Sequence, residues 1–164
     1  QFEKVFWDSR ALEITLYKDH YIFANDYSNR FQTNESLRNL AKVFAYENGF
    51  GVALLLNDQK RLVESTNGSF FLIEQDIIQT PAISEGSIDD VFRKAFIDFL
   101  RNEMEFTLIE TEIPIFSLQQ AQEMFLISTI YGFVHISQFR KKKFEVKISN
   151  RLRDAFLTYL KNQL

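Results

Sequence analysis

The side chains able to do chemistry are few and fall in short clusters. Glu64 heads Glu64-Ser65-Thr66-Asn67-Gly68-Ser69, a carboxylate followed by hydroxyls and a turn. Ser84-Glu85-Gly86-Ser87-Ile88-Asp89-Asp90 leads acids and hydroxyls into an apolar stripe, and Ser128-Thr129 end the run that starts at Glu123. A carboxylate can hold or exchange a proton, and hydroxyls beside a helix N-terminus can hold an anion. The two histidines, His20 and His135, stand far apart, without acids at metal-ligand spacing. His135 lies inside an apolar run and reads as a structural residue. No GxGxxG, P-loop lysine or GxSxG elbow is present. With no cysteine, disulfides, zinc ribbons and thiol catalysis are excluded.

Those clusters need strands and helices to bring them together. Leu12, Ile14 and Leu16 alternate with polar neighbours, and Tyr21 and Phe23 continue the period of two, predicting strand structure. Asn25–Asn29 reads as a turn. Leu37, Leu40, Ala41 and Phe44 predict a helix that Gly49 ends. Val52–Leu56 is a buried strand, and Arg61–Ser65 and Phe70–Ile73 are strands around Thr66-Asn67-Gly68-Ser69. Ile77-Ile78 continue the sheet until Thr80-Pro81. A second helix carries Ile88, Val91, Phe92, Ala95, Phe96, Phe99 and Leu100 on one stripe, with Ser87 as its N-cap and Asp89 and Asp90 in its first turn. Phe106–Ile113 is a strand and Ser117–Gln122 a short helix. Strands follow at Met124–Ser128 and Phe133–Phe139. A last helix from Ser149 buries Leu152, Phe156, Tyr159 and Leu160.

Mixed strands and helices give an α/β (α+β) class, a mixed sheet or pseudo-barrel with flanking helices, in one domain over residues 1–164. A chain of 164 residues buries about 70% of its extended surface, enough for a core, and the 18 phenylalanines make that core bulky. A formal charge of −3 argues against nucleic acid as partner. No apolar run approaches the roughly 20 residues of a membrane span. The mixed, charged start Gln1–Arg10 is unlike a signal peptide, and the lack of cysteine fits a cytoplasmic address. Arg140-Lys141-Lys142-Lys143 reads as a solvated turn between strands.

In order and spacing, the segment from Glu64 to Arg93 resembles the signature of the class IV pyridoxal-phosphate aminotransferases. That family includes branched-chain and D-amino-acid aminotransferases and 4-amino-4-deoxychorismate lyase. Glu123-Met124-Phe125-Leu126-Ile127-Ser128-Thr129-Ile130-Tyr131-Gly132 resembles the family's second block. The resemblance runs from about Asn29 to the C-terminus and implies the family's large C-terminal domain and a homodimer. It implies pyridoxal phosphate as cofactor, with Glu64 opposite the pyridine nitrogen so that the ring can absorb carbanion charge. The turn into Val91-Phe92 would then cradle the phosphate, and Ser128 and Thr129 would add donors. Read alone, Glu64 is a surface strand acid and Ser128 and Thr129 are ordinary strand residues.

The departures bear directly on activity. The stretch Phe31-Gln32-Thr33-Asn34-Glu35-Ser36-Leu37 resembles the family's lysine segment, with Gln32 in the lysine place, and no lysine lies between Lys18 and Lys42. A carboxamide forms no imine and shuttles no proton. Asp90 stands where the family has glycine or serine at the phosphate turn, and Ser69 stands where it has asparagine. The family's small N-terminal domain is not visible. These features predict a degenerate member, structural or binding a small ligand, in which cofactor binding is doubtful. An active aminotransferase or 4-amino-4-deoxychorismate-lyase-like enzyme is the alternative, needing Lys18, Lys42 or an artificially introduced Gln32. Lys42 is expected on the exposed face of its helix. A module for a small aromatic, carboxylate or amino-acid ligand is the third reading.

Overall fold

The computed structural model describes residues 11–25 and 34–163. Gln32 lies outside the described residues, as do Gln1–Arg10 and all of the expected Asn25–Asn29 turn except Asn25. The elements are β1 (Leu12–Leu16), α1 (Glu35–Glu47), β2 (Val52–Leu56), β3 (Arg61–Ser65), β4 (Ser69–Glu74), β5 (Ile77–Pro81) and α2 (Val91–Glu103). Then come β6 (Thr107–Thr111), β7 (Ile113–Pro114), α3 (Ser117–Gln120), β8 (Glu123–Ser128), β9 (Gly132–Phe139), β10 (Lys142–Lys143) and α4 (Lys147–Asn162).

The strands form one mixed sheet in the order β6-β5-β4-β8-β9-β1-β2-β3-β7, with β10 paired to β9. β1 runs parallel to β2 and β9, and β5 parallel to β6, while the other pairs are antiparallel. β9 joins the halves of the sheet. Its first residues pair with β8 and its last with β1 and β10. Only Glu112 separates β6 from β7, which stand at opposite ends of the strand order. Two peptide links span at most about 7 Å, so the ends of the sheet must meet. The sheet therefore closes into the expected pseudo-barrel.

Alternation along the strands sorts the core into layers. Phe70, Leu72, Met124 and Leu126 point inward with Leu16, Leu54, Leu62 and Ile136. Phe71, Ile73, Phe125, Ile127 and Phe133 point outward against Phe96, Phe99, Leu152 and Phe156 of α2 and α4. Phe96 is the hub of that layer, edge-on to Phe71, Phe125, Phe133 and Phe156. Ala41 and Ala45 let α1 lie close on Ala53, Leu55 and Val63.

Several boundaries and faces differ from the sequence reading. α1 buries Arg38, Ala41 and Ala45, whereas Leu40 is 53% exposed, because small residues allow the closer approach. Ile22, not Tyr21 or Phe23, is the buried residue of its segment, through a single bridge to Asn57. Phe106–Ile113 is two strands on opposite edges of the sheet. α4 starts at Lys147, ahead of Ser149. The buried Glu123 carboxylate accepts from Ile148 N at 2.7 Å, Ser149 N at 2.8 Å and Ser149 Oγ at 2.5 Å, capping the helix from β8. Of the expected Arg140–Lys143 turn, Arg140 and Lys141 are the exposed turn, whereas Lys142–Lys143 are strand β10 paired to β9. No described helix is long and apolar enough to cross a membrane.

Candidate functional site

Two sheet turns and the approach to α2 meet at one end of the barrel around a cleft of about 230 Å³. The β3–β4 turn contributes Ser65–Ser69, the β8–β9 turn Ser128–Ile130, and the approach to α2 Ile88 and Asp90. α1 adds Glu35, Arg38 and Lys42. The two sheet turns touch at Gly68, whose φ is +144°, where a β-carbon would strike the Ile127 carbonyl oxygen and Ser128 Cβ. Ser65 Oγ donates to Gly68 O at 2.7 Å, and Ala53 N donates to Thr66 Oγ1 at 3.2 Å, pinning the first turn to β2. Ser128 Oγ accepts from Ile130 N at 3.1 Å and Tyr131 N at 3.3 Å, fixing the second.

Glu64 is 2% exposed and bound on both oxygens by Arg38, with Nε to Oε1 at 2.7 Å and Nη2 to Oε2 at 3.1 Å. Arg38 is itself buried, and its Nη1 has no hydrogen bond, standing 3.9 Å from Glu35 Oε2. Burial pushes the Glu64 carboxyl above the usual carboxylate range; the charge and hydrogen bonds of Arg38 pull it down without cancelling the rise. The pair is a mutually neutralised fork that leaves Arg38 Nη1 as its one unpartnered donor.

Asp90, not Ser87, caps α2. Its Oδ1 accepts from Phe92 N at 2.8 Å and Arg93 N at 3.1 Å, in extended backbone at φ −77° and ψ 140°. Ser87 lies four residues before the helix, buried with its Oγ unpartnered. Asp89 also precedes the helix and pairs with Lys94 at 2.7 Å. Ile88 thus leaves the helical stripe for the cleft wall. α2 is held from behind by the buried Arg93, whose Nη2 donates to Pro81 O and to Glu110 Oε2, each at 2.8 Å. Glu110 also accepts from Arg101 at 2.8 Å.

Glu64, Ser128 and Thr129 therefore share one cleft. Val91 is 76% exposed, and the Phe92 ring packs on Phe156 with centroids 5.5 Å apart; neither side chain lines the cleft. Lys42 corrects an expectation. It is half-buried and lines the cleft one helical turn beyond Arg38, because the face of α1 that meets the sheet is turned from the one its leucines suggest. Lys18 is exposed and does not line the cleft. His135 is buried on β9 beside Phe133, away from the cleft. Reading by hydrophobic period missed Arg38 and Arg93, since each is a cation on a buried helix face; the spacing Arg38-Ala41-Ala45 was the available signal.

Residues 6–139 match the family model described as Amino-transferase class IV. The chain belongs to that family. A protein of Aquifex aeolicus named as a probable branched-chain-amino-acid aminotransferase is 32% identical over 90 residues, 55% of this chain and 29% of that protein. The PLP-form crystal structure of the branched-chain amino acid aminotransferase from Thermobaculum terrenum superposes with a TM-score of 0.84 at 22% identity, covering 92% of this chain and 51% of that one. A Legionella pneumophila structure provisionally named a 4-amino-4-deoxychorismate lyase gives 0.80 at 20% identity, covering 94% and 56%. The chain thus spans about half the length of these solved structures, and less of the curated relative. The family implies pyridoxal phosphate, and groups here that would meet it are already engaged. Arg38 bonds both oxygens of Glu64, and Asp90 takes the second and third N–H groups of α2, at the end of the helix where a phosphate would sit.

Proposed function

We propose that this chain is a class IV aminotransferase domain that retains the family architecture without conventional transamination, and serves as a structural or small-ligand-binding domain. The observation carrying this reading is the Arg38–Glu64 fork at 2.7 and 3.1 Å, which sets a guanidinium charge against the carboxylate that a protonated pyridine nitrogen would need. The missing lysine between Lys18 and Lys42 supports it. What the described residues can do is bind and orient. Hydroxyls of Thr66, Ser69 and Thr129 with Lys42 line a polar cleft suited to a small carboxylate or amino acid. Incubation with equimolar pyridoxal phosphate followed by borohydride tests the reading, and the chain is expected to keep its unmodified mass.

One observation favours a second reading, an active enzyme acting on amino acids or aminodeoxychorismate. Lys42 lines the cleft, which puts an amine where it could attack an aldehyde. In that case the borohydride-fixed lysine is Lys42, and Lys42→Arg abolishes fixation. The homodimer implied by the resemblance goes with either reading. Its check is the particle mass in solution: twice the chain supports it, and a single-chain mass removes it.

A further inference from the structure

The N-terminus of α2 is where this cleft would hold an anion, since unpaired N–H groups and the helix dipole favour negative charge there. The chain itself fills the position. Asp90 Oδ1 takes Phe92 N and Arg93 N at 2.8 and 3.1 Å, and its backbone angles are unstrained, so nothing in the cap favours its release. α2 is also fixed from behind, with Arg93 holding Pro81 O and Glu110 at 2.8 Å. The helix therefore cannot easily shift to present other donors. In the remaining wall Glu35 and Glu64 balance Arg38 and Lys42, so it is Asp90 that gives the lining its net −1. An entering phosphate dianion meets two occupied donors and the Asp90 carboxylate, a repulsion that an uncharged ring alcohol does not feel.

From this geometry we infer that Asp90 is an internal anion standing in for a ligand's phosphate, so that the cleft selects unphosphorylated over phosphorylated small molecules. This rests on the reading above only in taking the cleft as the place where a ligand binds. The test is calorimetric titration with pyridoxine and pyridoxine 5′-phosphate. Both lack an aldehyde, so neither can bond to a lysine. The native chain is expected to bind the phosphorylated compound no more tightly than the alcohol. Asp90→Gly frees both donors at little cost to the helix, and should raise the affinity for the phosphorylated compound at least tenfold while leaving that for the alcohol unchanged. Asp90→Ala frees the same donors and serves if the glycine variant does not fold. Asp90→Asn keeps an oxygen on both donors and should gain clearly less. A native chain that prefers the phosphate tenfold overturns the inference. So does an Asp90→Gly chain with no gain for the phosphorylated compound, or an asparagine variant that gains as much as glycine. Borohydride fixation with the aldehyde cofactor reads the lysine question separately, so the two can fail independently.

Discussion

Arg38 and Glu64 set what the cleft can offer, and their energetics are lopsided. A buried, hydrogen-bonded ion pair contributes little beyond a well-packed apolar pair, but removing one partner strands a buried charge. Arg38→Met or Glu64→Leu alone is expected to destabilise the fold by about 3–5 kcal/mol, while the double substitution recovers most of that loss. Urea unfolding of the four proteins checks this, and additive losses would contradict the coupling. Glu64 was legible in the sequence because it lies beside a turn inside a recognisable block. Arg38 was not. A buried cation is chosen by its partner across the fold, and the spacing it shares with Ala41 and Ala45 marks its face without naming that partner.

At the scale of elements, strands were easier to read than helix ends. The alternation in Phe70–Ile73 and Met124–Ser128 is imposed by two buried faces, so it survives in the sequence. The start of α2 does not, because Ser87 and Asp90 are both good caps and only the extended backbone through Asp90 decides between them. α4 begins early because its cap is Glu123, a residue of β8. The same strand–helix contact buries His135, whose pKa is lowered first by burial and next by Arg153, with Glu123, Asn150 and Asp154 opposing. A histidine with a folded pKa below its unfolded value of about 6.5 stabilises fully above that pH. That stability is lost as pH falls below about 6.5, where the unfolded chain takes up the proton first. His135→Phe should flatten the decline in stability between about pH 6.5 and 5. An unchanged slope in unfolding experiments across that range would refute the assignment.

For the whole molecule, family and a mixed sheet or pseudo-barrel could be read from the sequence, but the strand order that closes it could not. Closure follows from Glu112 joining strands at opposite ends of the sheet, a relation that exists only once the strand order is known. The position of Lys42 likewise depends on how α1 rolls on β2, which Ala41 and Ala45 determine by their size. The molecule thus keeps its relatives' scaffold while Arg38 engages Glu64 and Asp90 caps α2 at the cleft. Peptide mapping after borohydride treatment with equimolar pyridoxal phosphate tests that claim most directly. The account predicts no lysine modified in stoichiometric yield. Stoichiometric fixation of a single lysine, at Lys42 or elsewhere, would contradict it.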